Sequence, residues 1–214
     1  MKAACAILVF ARAPSPGRAK TRLAPRLGDW GAARLQARLT LSTLRTAQAA
    51  ACGVVELHGT PRASHAFFRH CRGKFGVALK AQQGADLGER MHRALARALR
   101  LHRVALLIGT DCPALGPRDL QRAAGLLRGA CSVVLAPAED GGYALIGARR
   151  LSPALFEGVA WGGAQVLQQT ARALRAAGWR WRALRTLWDL DRPQDLDRFA
   201  AERMLNFGHL WRGQ

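Results

Sequence analysis

The sequence predicts an α/β protein: a doubly wound, mostly parallel sheet with helices on both faces and one β-hairpin excursion. Three observations predict it. Short apolar runs alternate with amphipathic stretches along most of the 214 residues, which is the mark of repeated strand and crossover-helix units. Residues 104–109 carry no charge, and Asp111 and Pro113 follow at once, so this run reads as a buried parallel strand that hands a carboxylate to its C-terminal end. The length suits one large domain, residues 1–205, with a loosely held tail at 206–214.

The elements follow in order. Residues 4–10 form a first buried strand, and residues 11–23 a loop in which Pro14, Pro16 and Gly17 prevent regular structure. Leu35, Leu39, Leu41 and Leu44 place a long helix over 30–51. A strand at 54–57, a short helix at 63–71 and a strand at 77–81 come next, then a helix over 89–101 with Met91, Leu95 and Leu99 on one face. After the central strand, Pro117 opens a helix to 127. A strand at 132–136 and another ending at 146 are joined by a tight turn containing Gly141 and Gly142, hence the hairpin. A helix over 165–177, a strand over 181–187 and a helix that Pro193 starts and that runs to 204 complete the chain.

Composition excludes several classes. With 33 basic and 14 acidic residues the net charge is +19, which suggests a polyanionic partner, yet the arginines are spread without a run of five or six, so no specific nucleic-acid surface is expected. Five cysteines without a C-x-x-C pair indicate reduced core thiols of a cytoplasmic protein, and neither a disulfide framework nor a zinc site. The N-terminal apolar run imitates a short signal peptide, but it continues directly into a loop rich in functional groups. No stretch has the length of a membrane span.

Six stretches could carry chemistry. Arg12, Gly17, Arg18, Lys20 and Arg22 crowd the loop after the first strand, where backbone N–H groups and cations together can wrap a diphosphate or triphosphate. Ala19 stands where a Walker A loop needs glycine, and a solvated basic loop is the plainer alternative. Asp111 is placed to hold a divalent cation, or simply to form a turn or cap a helix. Asp189 and Asp191 alternate along an extended segment and can face one side of it, giving with Asp111 a site for magnesium or manganese. Asp195 fits a helix start better than a ligand.

Within residues 82–90, Gly84 and Gly88 would let a nucleotide approach the backbone, with Asp86, Leu87 and Arg90 beside them. Gly141, Gly142 and Tyr143 would do likewise for a second substrate, and Trp161 offers an aromatic face or a core side chain. Plain turn geometry accounts for these glycines equally well. Asp140 and Glu139 are the nominees for a general base. No serine, histidine or cysteine constellation indicates covalent catalysis.

Taken together, FARAPSPGRAKTRL, QGADLGERM, IGTDCPAL, APAEDGGYALIG, the Trp161 segment and DLDRPQDL resemble, in order, the bacterial glycosyltransferase-A-like family. Its members include proteins assigned to arsenosugar biosynthesis as glycosyltransferases, and its fold is shared with 2-phospholactate guanylyltransferase and the molybdenum cofactor guanylyltransferases. The likeness spans residues 4 to about 200. It implies that Arg18, Lys20 and Arg22 bind phosphates, that residues 84–88 line base and ribose, and that Asp111, Asp189 and Asp191 hold metal. Where relatives carry Trp-Ser-Thr, this chain has Trp161, Gly162 and Gly163, so two hydroxyls are missing on the acceptor side. The expectation is a metal-dependent transferase, with Lys20, Asp111 and Asp140 catalytic, using a nucleotide or nucleotide-sugar and a small-molecule acceptor. Glycosyl transfer comes first, nucleotidyl transfer with release of pyrophosphate second, and a nucleic-acid-binding module third.

Overall fold

The computed structural model describes residues 3–201. Seven strands form one sheet in the order β3-β2-β1-β4-β6-β5-β7. They are β1 (Ala3–Arg12), β2 (Val54–Thr60), β3 (Ala78–Ala81), β4 (His102–Ile108), β5 (Val133–Pro137), β6 (Tyr143–Ala148) and β7 (Trp181–Ala183). The helices are α1 (Ala24–Ala49), α2 (Ala66–Phe75), α3 (Leu87–Leu101), α4 (Pro117–Arg128), α5 (Val166–Ala176) and α6 (Asp195–Ala201). A dipeptide break at Gly28, with φ +67°, separates a first turn of α1 from its main body, and the main body is the stretch marked by the leucine spacing.

β1 lies between β2 and β4 and is parallel to both. Its side chains alternate between two buried layers: Cys5, Ile7 and Val9 pack with α1, α2 and α4, while Ala6, Leu8 and Phe10 pack with α3 and α5. β4 divides in the same way, with Val104, Leu106 and Ile108 on the first face and Ala105 and Leu107 on the second. Burial on both faces is why these strands are continuous apolar runs without a polar alternate. This is the doubly wound architecture that the sequence predicts.

The hairpin is present but differs from an excursion. β6 pairs antiparallel with both β5 and β4, so it is a central strand of the sheet. Its residues Leu145 and Ile146 are fully buried on opposite faces, and a strand so apolar has to be covered on both sides. The last strand is shorter than residues 181–187. Beyond Ala183 the ladder loosens, yet Leu184 still donates to Leu135 O and Leu187 to Pro137 O, each at 2.8 Å. The expected final helix is α6 as far as Ala201, and the rest of that helix, like the 206–214 tail, lies outside the described residues. Among the described residues no helix is long and apolar enough to cross a membrane.

The segment after β7 is tied down by its own apolar residues. Trp188, Leu190, Leu196 and Phe199 pack with Leu23, Leu35 and Leu39 in a third buried cluster. Arg185 adds a bidentate pair to Asp119, at 3.0 and 2.9 Å, and donates to Ala114 O at 2.7 Å. These contacts bring a stretch near the C-terminal end of the described chain against the loop that follows β1.

Candidate functional site

The parallel strands β1, β2, β3 and β4 end on one edge of the sheet, and a cleft of about 550 Å³ opens there. Asp111 stands three residues past the end of β4 on its rim. Leu190 is fully buried, and its N–H donates to Asp111 O at 2.8 Å. Because side chains alternate along an extended segment, burying Leu190 turns Asp189 and Asp191 the other way, and both line the cleft. Asp195 accepts from Asp191 N at 3.0 Å and from Arg192 N at 2.6 Å, which spends its carboxylate on fastening the acidic segment to the start of the last helix.

Lys20 adopts a left-handed conformation, φ 50° and ψ 41°, and turns its side chain inward until only 3% of it is exposed. Its Nζ lies 2.9 Å from Asp111 Oδ1 and 3.9 Å from Asp191 Oδ1, and donates to Leu190 O at 2.5 Å. Arg22 pairs with Asp191, and Arg26 pairs bidentately with Asp197 at 2.8 and 2.6 Å. The basic loop and the acidic segment therefore satisfy each other across the cleft mouth. Asp189 is pushed up to about 7, first by burial and then by the charges of Asp140 and Asp111, with Lys20 acting in the opposite direction.

The carboxylates that line the cleft offer oxygen donors, the donor type that suits magnesium or manganese. Among the described residues, however, no three side chains of metal-binding type are disposed around one ion. The expected triad of Asp111, Asp189 and Asp191 is not assembled, because the Lys20 ammonium sits against two of its members. Lys20 is correspondingly a carboxylate partner in this state and not a free phosphate ligand.

The cleft brings together many of the other residues singled out from the sequence. Arg12, Arg18, Arg22, Leu87, Asp140, Gly142, Tyr143 and Trp161 all line it. Gly17 and Arg90 line a neighbouring cavity instead. Asp86 is the N-cap of α3, accepting from Glu89 N at 2.8 Å, and Gly84 O accepts from Arg90 Nε at 3.0 Å. Glu139 is drawn away from the cleft into a pair with Arg198, at 2.9 Å, so of the two nominated bases only Asp140 lines it.

Two glycines are explained by contact and not by ligand approach. A Cβ on Gly88 would fall 2.4 Å from Trp161 Nε1, so Gly88 is the seat on which the indole rests. A Cβ on Gly141 would fall 2.0 Å from Ala164 O, while Gly141 O accepts from Leu167 N at 2.9 Å. Trp161 is stacked on Phe156, with centroids 6.3 Å apart, and meets Tyr143 edge-on at 6.4 Å. The Tyr143 phenol is buried and its pKa is raised by that burial. Tyr143 and Trp161 thus give the cleft an aromatic wall.

Gln36 was not legible as a site residue. It is 3% exposed on α1, donates to Thr110 Oγ1 at 3.0 Å beside Asp111, and lines the cleft. The one available signal was a polar residue between Leu35 and Leu39 on the apolar stripe of the helix. Phe10 and Met91, read as core, also form part of the cleft lining.

The mostly parallel seven-stranded sheet with its covering helices matches the fold of nucleotide-diphospho-sugar transferase-like proteins. The chain belongs to the DUF2064 family, described as "Uncharacterized protein conserved in bacteria", whose model matches residues 43–163. It is similar to a "putative nucleotide-diphospho-sugar transferase" from Desulfovibrio desulfuricans G20, with 30% identity over 96% of this chain and 90% of that one and a TM-score of 0.86. The fold alone is shared with a nucleotidyl transferase from Methanothermobacter thermautotroptrophicus, at 15% identity, TM-score 0.61, and 93% and 97% coverage of the two chains. It is likewise shared with glucosyl-3-phosphoglycerate synthase from Mycobacterium tuberculosis, solved with Mn2+, uridine-diphosphate and glucosyl-3-phosphoglycerate, at 12% identity, TM-score 0.53, and 94% and 77% coverage. No curated protein matches the chain.

Proposed function

We propose that the chain is a transferase that binds a nucleotide-activated donor in the cleft at Asp111 and passes part of it to a small acceptor held near Trp161. The observation that carries this reading is the convergence of Asp111, Asp140, Asp189 and Asp191 on one cleft that Arg12, Arg18 and Arg22 also line. Phosphate oxygens need cations and donors; a metal that binds phosphate needs carboxylates; both sets face the same space.

In this reading the arginines orient the donor by its phosphates and offset the charge that develops on the leaving group. A diphosphate entering the cleft competes with Asp191 for Arg22 and with Asp111 for Lys20, so substrate binding frees both carboxylates. Magnesium or manganese fits the donors thereby released, Asp111 with Asp189 and Asp191, and when bound would supply Lewis-acid neutralisation of the diphosphate. Asp140, with its Oδ1 fixed by Gly142 N at 2.8 Å, is the group placed to receive a proton from an acceptor hydroxyl. Gly162 and Gly163, lining the cleft without side chains, leave room on the acceptor side where relatives present hydroxyls.

Glycosyl transfer is the first reading, supported by the motif resemblance to glycosyltransferases of the arsenosugar type and by the similarity to the Desulfovibrio protein. Nucleotidyl transfer is the second, supported by the fold shared with nucleotidyl transferases. The test is a panel of nucleotides and nucleotide sugars read by thermal stabilisation with and without magnesium or manganese, followed by product analysis. A nucleoside diphosphate as product establishes the first reading, and pyrophosphate the second. A panel in which no nucleotide shifts the melting temperature overturns both.

A further inference from the structure

We propose that a second cavity, joined to the cleft by a common wall, is a phosphate site that takes a phosphate or oligophosphate group of a substrate lying beside Asp111. The inference rests on the transferase reading and adds to it the charge of a substrate.

The cavity has a volume of about 980 Å³. Arg12 and Arg18 stand on the wall common to both spaces, and Arg62 and Arg90 line the second cavity alone. None of these four guanidiniums has an ion pair among the described residues, whereas Arg22, Arg26, Arg97 and Arg185 each meet a carboxylate. Among the described residues, no aspartate or glutamate lines the cavity.

Its other polar side chains can all donate. Ser15, Ser64, Thr21 and Thr60 present hydroxyls. His65 accepts from Phe67 N through Nδ1 at 3.2 Å, which leaves Nε2–H as the donor of the neutral ring. A lining of cations and donors without an acid matches a ligand that offers acceptor oxygens and negative charge on every side, and guanidinium forks match phosphate oxygens two at a time.

The positive excess of the whole chain does not by itself build such a place. What does is that two of the arginines are already anchored by backbone carbonyls. Arg90 Nε donates to Gly84 O at 3.0 Å, and Arg12 Nη1 to Arg18 O at 3.5 Å. Arg90 Nη2 also donates to Ala85 O at 3.5 Å; the N–H groups not used in this way face a ligand, and holding side chains in place beforehand lowers the entropic cost of binding. Gly17 and Arg90, which the sequence suggests as parts of one nucleotide site, are in this arrangement parts of the second space.

The test is calorimetric titration of the full-length protein with inorganic pyrophosphate, at fixed ionic strength and with chelator present. Arg62→Gln/Arg90→Gln is compared with Arg100→Gln/Arg103→Gln, which removes the same charge at the opposite edge of the sheet. The first variant is expected to weaken binding about tenfold or more and the control less than about twofold. Arg62→Gln alone, at a side chain with no hydrogen bond or ion pair to lose among the described residues, is expected to weaken it about threefold with the melting temperature unchanged. Equal losses in the two double variants, no loss in either, or no pyrophosphate binding to the wild-type protein would overturn the proposal.

Two further arms identify the source of the phosphate. If the Arg62→Gln/Arg90→Gln change weakens a nucleoside triphosphate but not its diphosphate, the site holds the terminal phosphate of the donor. If it weakens pyrophosphate and neither nucleotide, the site serves a phosphorylated acceptor. Arg62-dependent pyrophosphate binding in a protein that binds no nucleotide would leave this site standing and remove the transferase reading.

Discussion

The Lys20 Nζ lies 2.9 Å from Asp111 Oδ1, and both residues are bound to the same backbone unit: Lys20 donates to Leu190 O at 2.5 Å, and Leu190 N donates to Asp111 O at 2.8 Å. One ammonium group thereby links the loop after β1, the loop after β4 and the acidic segment near the end of the described chain. Replacing Lys20 by Met removes that link. The expected cost is about 1–3 kcal/mol, the lower part because Asp111 is half exposed and keeps its water. Urea denaturation measures it; an unchanged midpoint would show that the ammonium does not hold these loops together.

Asp111→Asn keeps an oxygen for Lys20 and removes the charge. The fold should survive with a loss of about 1 kcal/mol or less, while the metal-dependent part of nucleotide stabilisation disappears. Thermal melts with nucleotide, with and without manganese, separate the two effects. A metal response of undiminished size would take Asp111 out of the site.

Asp189 makes stability fall as pH rises. Its carboxyl is raised to about 7 in the folded chain against ~4 when unfolded, so between those values the folded state binds more protons. Stability is then lost progressively as pH climbs from about 4 to about 7, and is flat above that range with respect to this group. Asp189→Asn abolishes this slope, and relative to wild type it should gain about 1.3 kcal/mol at pH 8 over pH 5, half the linkage between those two pH values because the side chain is not wholly buried. Parallel denaturation curves at the two pH values test it, and identical slopes in both proteins would refute it.

Gly88→Ala drives a methyl group to 2.4 Å from Trp161 Nε1. The indole is a rigid ring stacked on Phe156 and cannot yield as a flexible side-chain end would. A loss of about 1–3 kcal/mol is expected, together with weaker binding of the acceptor and unchanged binding of nucleotide. Acceptor KM measured beside nucleotide affinity checks this, and an equal change in both would argue that the aromatic wall is not specific to the acceptor side.

Much of the fold was legible because both periodicities were strong. Uncharged runs such as residues 104–109 have one interpretation when helical stripes flank them, and the leucines of α1 and the Met91, Leu95, Leu99 series mark helices by spacing alone. The placement of β6 was not legible. A hairpin signal is local, but whether the hairpin leaves the sheet or enters it depends on which strand has a free edge, and here β4 offers one.

The sequence by itself determined which chemical groups stand at strand ends: Asp111 after β4, the arginines after β1, and Asp189 and Asp191 on alternate residues of one segment. Each is a matter of neighbours along the chain. Only the tertiary structure decided whom these groups meet. Lys20 and Leu190 are 170 residues apart, and no local pattern says that the lysine faces carboxylates before it faces phosphate. The same holds for Glu139, led away by Arg198, and for Gly88, shaped by Trp161. Pairing of charges and seating of rings are settled by strand order and by what the apolar clusters bury, and those are properties of the assembled sheet.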